Sequence, residues 1–252
     1  MCATCGCAGD DAVVHPAAEV GDHGHDHPHP HVVPQGDART VQLQQKVLAK
    51  NDEVAVRNRD HLGERGVRML NLMSSPGAGK TTLLERTARA LTGELEIAVI
   101  EGDQETALDA SRISAAGCRV VQINTGAGCH LDAAMVARGL DQLDPPSGSA
   151  VIIENVGNLV CPALFDLGEA HRVVLSAVTE GADKPMKYPQ MFRQADLVLL
   201  TKVDLLPYID FDTDRYAADL ATVSPNAVLM HLSVVSGEGM NAWLDWLAAA
   251  AI

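Results

Sequence analysis

The sequence predicts an α/β domain with a mainly parallel sheet flanked by helices, preceded by a flexible tail. Three observations predict it. Seven short runs of Val, Ile and Leu recur after Gly66: VRMLNLMS, LEIAVIEGD, RVVQIN, AVIIEN, RVVLSAVTE, DLVLLTKVD and NAVLMHLS. Their near-continuous apolar character suits strands buried on both faces. Between several of them lie segments of helical period, such as TTLLERTARAL and LDAAMVARGLDQL, giving the alternation of a parallel sheet. Finally, residues 1–37 are rich in Gly, Pro, His and Asp, and bury too little apolar surface to offset their ordering entropy. The organisation is therefore a tail over residues 1–37 and one domain over 38–252.

Composition narrows the function. A net charge of −14 argues against nucleic-acid binding, which needs a basic face for phosphates. Part of that acidity belongs to the tail, where Asp10, Asp11, Glu19, Asp22, Asp26 and Asp37 stand without any Lys or Arg. No apolar run approaches the ~18 residues of a membrane span. The start lacks the basic-then-apolar order of a signal peptide. A cytoplasmic location follows, where thiols stay reduced. The six cysteines then read as ligands or core residues rather than disulfides.

In chain order, VQLQQKVLAKNDEVAVRNRDHL comes first. It sets Val41, Leu43, Val47, Leu48 and Val54 at roughly helical spacing, predicting a leading amphipathic helix. MLNLMSSPGAGKTTLLERT then reads as strand, glycine turn and helix, close to G-x-x-x-x-G-K-[ST] with Ser74 in the first glycine place. Gly77 and Gly79 let backbone N–H groups close on a phosphate, with Ala78 and Thr82 completing the candidate cradle. Lys80 would reach the β/γ oxygens and the Thr81 hydroxyl would ligate Mg²⁺. The motif predicts a P-loop NTPase fold that binds a nucleoside triphosphate.

IEGDQET ends a strand at Asp103, a candidate for Mg²⁺ or for the attacking water; a solvated loop acid is the other reading. AVIIENVGNLVCP resembles D-x-x-G with Glu154 for Asp. Glu154 could hold Mg²⁺ through water while the Gly157 N–H senses the γ-phosphate. Asn158 follows where some GTPases carry a water-positioning Gln, so slow intrinsic hydrolysis is expected. DLVLLTKVDLL ends in Thr201-Lys202-Val203-Asp204, close to N-K-x-D. Asp204 can accept the N1–H and N2 amine of guanine, and the Lys202 stem can lie along the base, which points to GTP, with Thr201 in place of Asn leaving the strength of that preference open. Ser233 opens SVVSGEGM, a candidate base-side loop. GMNAWLDWLAAAAI predicts a closing helix.

Two groups suit metals. Cys129, His130 and Cys161 offer donors for Zn²⁺ or Ni²⁺; the alternative is two core cysteines with His130 capping a helix. Cys118 reads as a core residue. In the tail, Cys2, Cys5 and Cys7 form C-x-x-C-G-C. Three thiolates and the chain's N-terminal amine could lie flat around Ni²⁺. His23, His25, His27, His29 and His31 alternate with small or acidic residues, as a weak multi-ion binder or a low-complexity linker would.

With SSPGAGKTT, EGDQET, NTGAGCHLD, ENVGNLVCP, DKPMKYPQMF and TKVDL, the chain resembles the hydrogenase nickel-incorporation GTPases. The resemblance implies a GTPase that dimerises with nucleotide and helps deliver nickel to the hydrogenase large subunit, with an accessory nickel protein as a further partner. It implies a G-domain metal site at Cys129, His130 and Cys161, and a tight N-terminal nickel site at Cys2, Cys5 and Cys7. It also makes Lys184 the residue that reaches nucleotide across the dimer. Ala182 and Thr201 depart from the family pattern. The readings that compete are a urease-type nickel GTPase, a non-enzymatic nickel buffer and a small-molecule kinase.

Overall fold

The computed structural model describes residues 38–103, 108–126 and 128–250, with side chains from residue 45 onward. The tail candidates Cys2, Cys5, Cys7, His23, His25, His27, His29 and His31 lie outside these residues. The chain divides into a unit over Met1–Val47 and a larger one over Leu48–Ile252. The larger carries seven strands: β1 (Arg68–Ser74), β2 (Ile97–Asp103), β3 (Arg119–Asn124), β4 (Ala150–Glu154), β5 (His171–Ala177), β6 (Leu197–Thr201) and β7 (Val228–Leu232). They form one sheet in the order β3-β2-β4-β1-β5-β6-β7, and every pairing is parallel. The sheet is thus wholly rather than mainly parallel.

The helices are α1 (Ala38–Glu64), α2 (Lys80–Ala90), α3 (Leu108–Ala115), α4 (Ala133–Leu143), α5 (Lys184–Lys187), α6 (Pro189–Arg193), α7 (Thr213–Val223) and α8 (Met240–Ala250). The strand period of two sorts the core. Leu70, Leu72, Val99 and Ile152 face α2 and α8 through Leu83, Leu84 and Trp243. Met69, Ala98, Ile100 and Val151 face the other way, onto Leu62, Val136 and Leu140. Trp243 is fully buried and donates its indole N–H to Thr87 Oγ1 at 2.8 Å, which closes α8 onto α2.

Two expectations need correction. RVVQIN and NAVLMHLS are not buried on both faces: β3 and β7 are the sheet's edges, and most of their residues are partly or fully exposed. The leading helix forms, but Val47 points outward, 40% exposed. Its inner face is polar at Asn51 and Asn58. Asn51 donates to the Asp166 carbonyl (2.7 Å) and accepts from the Ala133 N–H (2.9 Å). Asn58 donates to the Ala133 and Leu167 carbonyls. Buried amides that satisfy distant backbone thus share the inner face with the apolar Leu48, Ala55 and Leu62. Among the described residues, no helix is long and apolar enough to cross a membrane.

In parallel sheets flanked by helices, ligands bind beyond the carboxyl ends of the strands. Here those ends are Ser74, Asp103, Asn124, Glu154, Ala177, Thr201 and Leu232. Every described candidate from the sequence lies at or within about ten residues of one of them.

Candidate functional site

The phosphate loop joins β1 to α2. Gly77 and Gly79 take φ of 75° and 102°, the left-handed region that a Cβ disfavours, and the turn can close only with glycine there. Ser74, in the first glycine place, is fully buried and accepts from Lys80 Nζ at 2.9 Å. The serine therefore anchors the loop lysine. Burial lowers the Lys80 pKa, opposed by Glu154 and its acidic neighbours.

Pro76, Gly77, Lys80, Thr81, Glu154 and Gly157 line one pocket with Glu101, Asp103, Asp109 and Arg112. Thr81 Oγ1 donates to Glu154 Oε1 at 2.7 Å. Burial raises the Glu154 carboxyl, against Lys80 and the Thr81 hydroxyl. Glu101 is pushed up to about 8, first by burial and then by Glu154 and Asp103. Among the described residues, Glu101 Oε2 and Glu154 Oε2 are buried without a hydrogen-bond partner. A hydroxyl and two under-satisfied carboxylates, all hard oxygen donors, fit Mg²⁺. Gly157 lies against the loop: a Cβ there would meet Pro76 Cα at 3.1 Å.

A second pocket adjoins the first, lined by Ala78, Gly79, Thr82, Thr201, Lys202 and Asp204 among others. Thr201 Oγ1 donates to the Ala78 carbonyl at 2.9 Å, tying the base-side strand end to the phosphate loop. β6 stops at Thr201, and Lys202 turns the chain with φ 61° into a 3-10 turn (Val203–Tyr208). Ser233 donates to Asp204 Oδ1 at 2.5 Å and accepts from the Ser236 N–H at 3.1 Å. The two base-side segments are thus joined through the carboxylate that would read guanine.

The ligand atoms of Cys129, His130 and Cys161 lie within 4.8 Å of one another. His130 stacks on Phe165, ring centroids 4.0 Å apart, and burial lowers its pKa against the pull of Asp132, favouring the neutral imidazole that binds metal. The capping alternative for His130 does not hold. Asp132 is the N-cap of α4 and accepts from the Met135 N–H. Asn158 shapes the other side: its Oδ1 accepts from the N–H groups of Val160 (2.7 Å) and Cys161 (3.2 Å). Cys118 packs at the edge of the apolar core, its thiol pKa raised by burial.

Lys184 sits apart from the pocket lining. Its Nζ is 3.2 Å from Glu180 Oε2 and 3.3 Å from Ser75 Oγ, with the Tyr188 ring at 4.9 Å. Sequence reasoning missed Glu101, Asp109 and Arg112. For Glu101 a signal existed, since a residue two before Asp103 on a strand shares its face. Asp109 and Arg112 sit on α3, which follows the pocket's Asp103 in sequence but not in any motif.

A glycine turn that seats a lysine, a Thr–carboxylate pair and an adjoining base-side pocket define a nucleotide-binding protein of the P-loop class. The chain belongs to the CobW/HypB/UreG family, whose nucleotide-binding domain matches residues 68–231. It is 54% identical over 213 residues to the hydrogenase maturation factor HypB of Rhizobium leguminosarum bv. viciae, covering 84% of this chain and 71% of that protein. The crystal structure of HypB from Archaeoglobus fulgidus superposes with a TM-score of 0.76 at 38% identity, over 81% of this chain and 100% of that one. That of HypB from Helicobacter pylori, solved in complex with nickel, gives 0.76 at 36% identity, over 80% and 95%.

Proposed function

We propose that this chain is a cytoplasmic hydrogenase maturation factor that hydrolyses GTP to GDP and phosphate, and uses nucleotide state and dimerisation to control its grip on nickel. Its cargo passes to the hydrogenase large subunit, with an accessory nickel protein as a second partner. One observation carries this reading: the Cys129–His130–Cys161 cluster joins the loop after the pocket strand β4, which holds Cys161, to the loop after β3, the neighbour of the pocket strand β2, which holds Cys129 and His130. Cys161 lies four residues beyond Gly157, which packs on Pro76 of the phosphate loop. Thr125, four residues before Cys129, donates its backbone N–H to the Asp103 carbonyl at 2.9 Å. Two thiolates and an imidazole suit Ni²⁺ or Zn²⁺.

The candidates named from the sequence have these roles in this reading. Thr81 and Glu154 would hold Mg²⁺, which when bound neutralises charge on the β/γ-phosphates. Lys80 binds the same oxygens, Gly157 donates to the γ-phosphate and Asp103 orients the attacking water. Asn158 is engaged with its own loop, which supports slow intrinsic turnover. Asp204 reads guanine. Lys184, now on Glu180 and Ser75, would exchange these for nucleotide in a dimer. Cys2, Cys5 and Cys7 would form a second, tight nickel site, and the tail histidines a store.

The test is a nickel titration of reduced protein in its GDP and GTP-analogue forms, followed by sulfur-to-nickel charge-transfer absorption. Cys161→Ala and a Cys2/Cys5/Cys7→Ala variant separate the two sites. Tenfold or greater dependence on nucleotide, lost in Cys161→Ala, supports the reading. Equal affinity in both forms removes nucleotide control.

A further inference from the structure

We propose that Arg112 holds the α-phosphate of the bound nucleotide, an inference that rests on the guanine-nucleotide reading above. Gly79 and Thr82 line both the phosphate pocket and the base-side pocket, so they mark the junction between them. A nucleotide whose base meets Asp204 and whose terminal phosphates meet Lys80 and Glu154 must pass its α-phosphate through that junction. Arg112 is there: its Nη2 lies 3.4 Å from Thr82 Oγ1.

Charge supports the same placement. Arg112 and Lys80 are the cations among the described residues lining the phosphate pocket, beside Glu101, Asp103, Asp109 and Glu154. Lys80 is committed to the Ser74 end of the loop. That leaves Arg112 as the described cation of the lining free of the loop's inner end and placed beside the junction.

The geometry of Arg112 is that of a preset clamp. Its Nε and Nη2 engage the two Glu85 oxygens, each at 3.2 Å, which fixes the guanidinium plane. Its Nη1 pairs with Asp109 Oδ1 at 3.1 Å. The Glu85 side chain is 17% exposed and that of Asp109 38%, so Glu85 is the lasting partner. The Asp109 pair, on the solvent side, is the weak one that a phosphate oxygen replaces.

The test is competition binding of GMP and GDP to the full chain and to Arg112→Ala, with Lys80→Ala as control. Arg112→Gln, which keeps the packing of the stem, replaces the alanine variant should that melt early without ligand. Loss of a charge-assisted hydrogen bond weakens both ligands by the same factor, about tenfold to a hundredfold. Unchanged affinity for GMP, or a loss confined to GDP, overturns the assignment. Should wild type bind no guanine nucleotide, or Lys80→Ala bind GDP as well as wild type, the nucleotide reading itself fails.

Discussion

Thr81 donates its hydroxyl to Glu154 at 2.7 Å, across 73 residues of sequence, and this bond joins the start of α2 to the end of β4. Both groups are buried, and the carboxyl is destabilised by burial. Glu154→Gln should therefore leave ligand-free stability unchanged or raised, because a neutral amide is easier to bury than a carboxylate. GTP turnover should fall by about a hundredfold, as for loss of a group acting at the reacting phosphate. Turnover near the wild-type value, in protein that melts normally, would remove Glu154 from the reaction.

The Ser233–Asp204 bond makes a prediction about the base. Asp204 accepts from Ser233 and from no described base-reading neighbour, so it is oriented for ligand donors. Asp204→Asn exchanges one of two acceptors for a donor, which clashes with the guanine N2 amine but matches the C2 carbonyl of xanthine. GDP affinity should drop by about a hundredfold, with a gain for XDP. Equal loss of both nucleotides would mean that Asp204 only supports the loop.

Asp166 sets a pH dependence of stability. Burial raises its carboxyl, but the Gly168 N–H at 2.8 Å and Arg59 at 2.8 Å outweigh it, and the pKa lies below its ordinary value of 3.8. A depressed folded pKa stabilises above 3.8 and loses that contribution as pH falls through the folded value. The Arg59 and Asp166 side chains are 44% and 31% exposed, so solvent screening limits the pair. Asp166→Asn should cost about 1 kcal/mol at pH 7, or about 2–4 °C in Tm. The gap between the two proteins' thermal melts should hold above about pH 4 and close as pH falls below 3.8; a gap constant with pH would assign the loss to packing.

What was legible in the sequence was local. The phosphate turn needs glycine at fixed offsets, and a strand buried on both faces needs a near-continuous apolar run, so both show in a short window. Cys129 and His130 are neighbours, and Cys161 follows a recognisable strand end. The polar helix face at Asn51 and Asn58 was not legible, because each amide answers backbone groups 75 to 115 residues away. Arg112 escaped for the same reason: its partners Thr82 and Glu85 lie on another helix. Edge and central strands look alike in sequence, since sheet order depends on which crossover passes where. Asn158 was legible only as a departure from a water-positioning Gln; that its side chain holds the Cys161 turn depends on loop geometry that no short window shows.

That turn supplies the sharpest test of coupling between nucleotide and metal. Gly157 has no positive φ, so alanine is tolerated by the backbone there, yet its Cβ would stand 3.1 Å from Pro76 Cα and 3.2 Å from Pro76 N. Backbone on both sides must give by a few tenths of an ångström. Overpacking of this kind is worth about 1–3 kcal/mol, so Gly157→Ala should weaken a GTP analogue by about tenfold or more. Cys129, His130 and Cys161 are untouched by the substitution, so nickel should still bind the nucleotide-free protein as in wild type. The difference in nickel affinity between GDP and GTP-analogue forms should shrink or vanish, measured at saturating nucleotide. A full-sized difference would show that the Gly157–Pro76 contact is not the route, and would leave the Thr125–Asp103 connection as the remaining link between pocket and metal cluster.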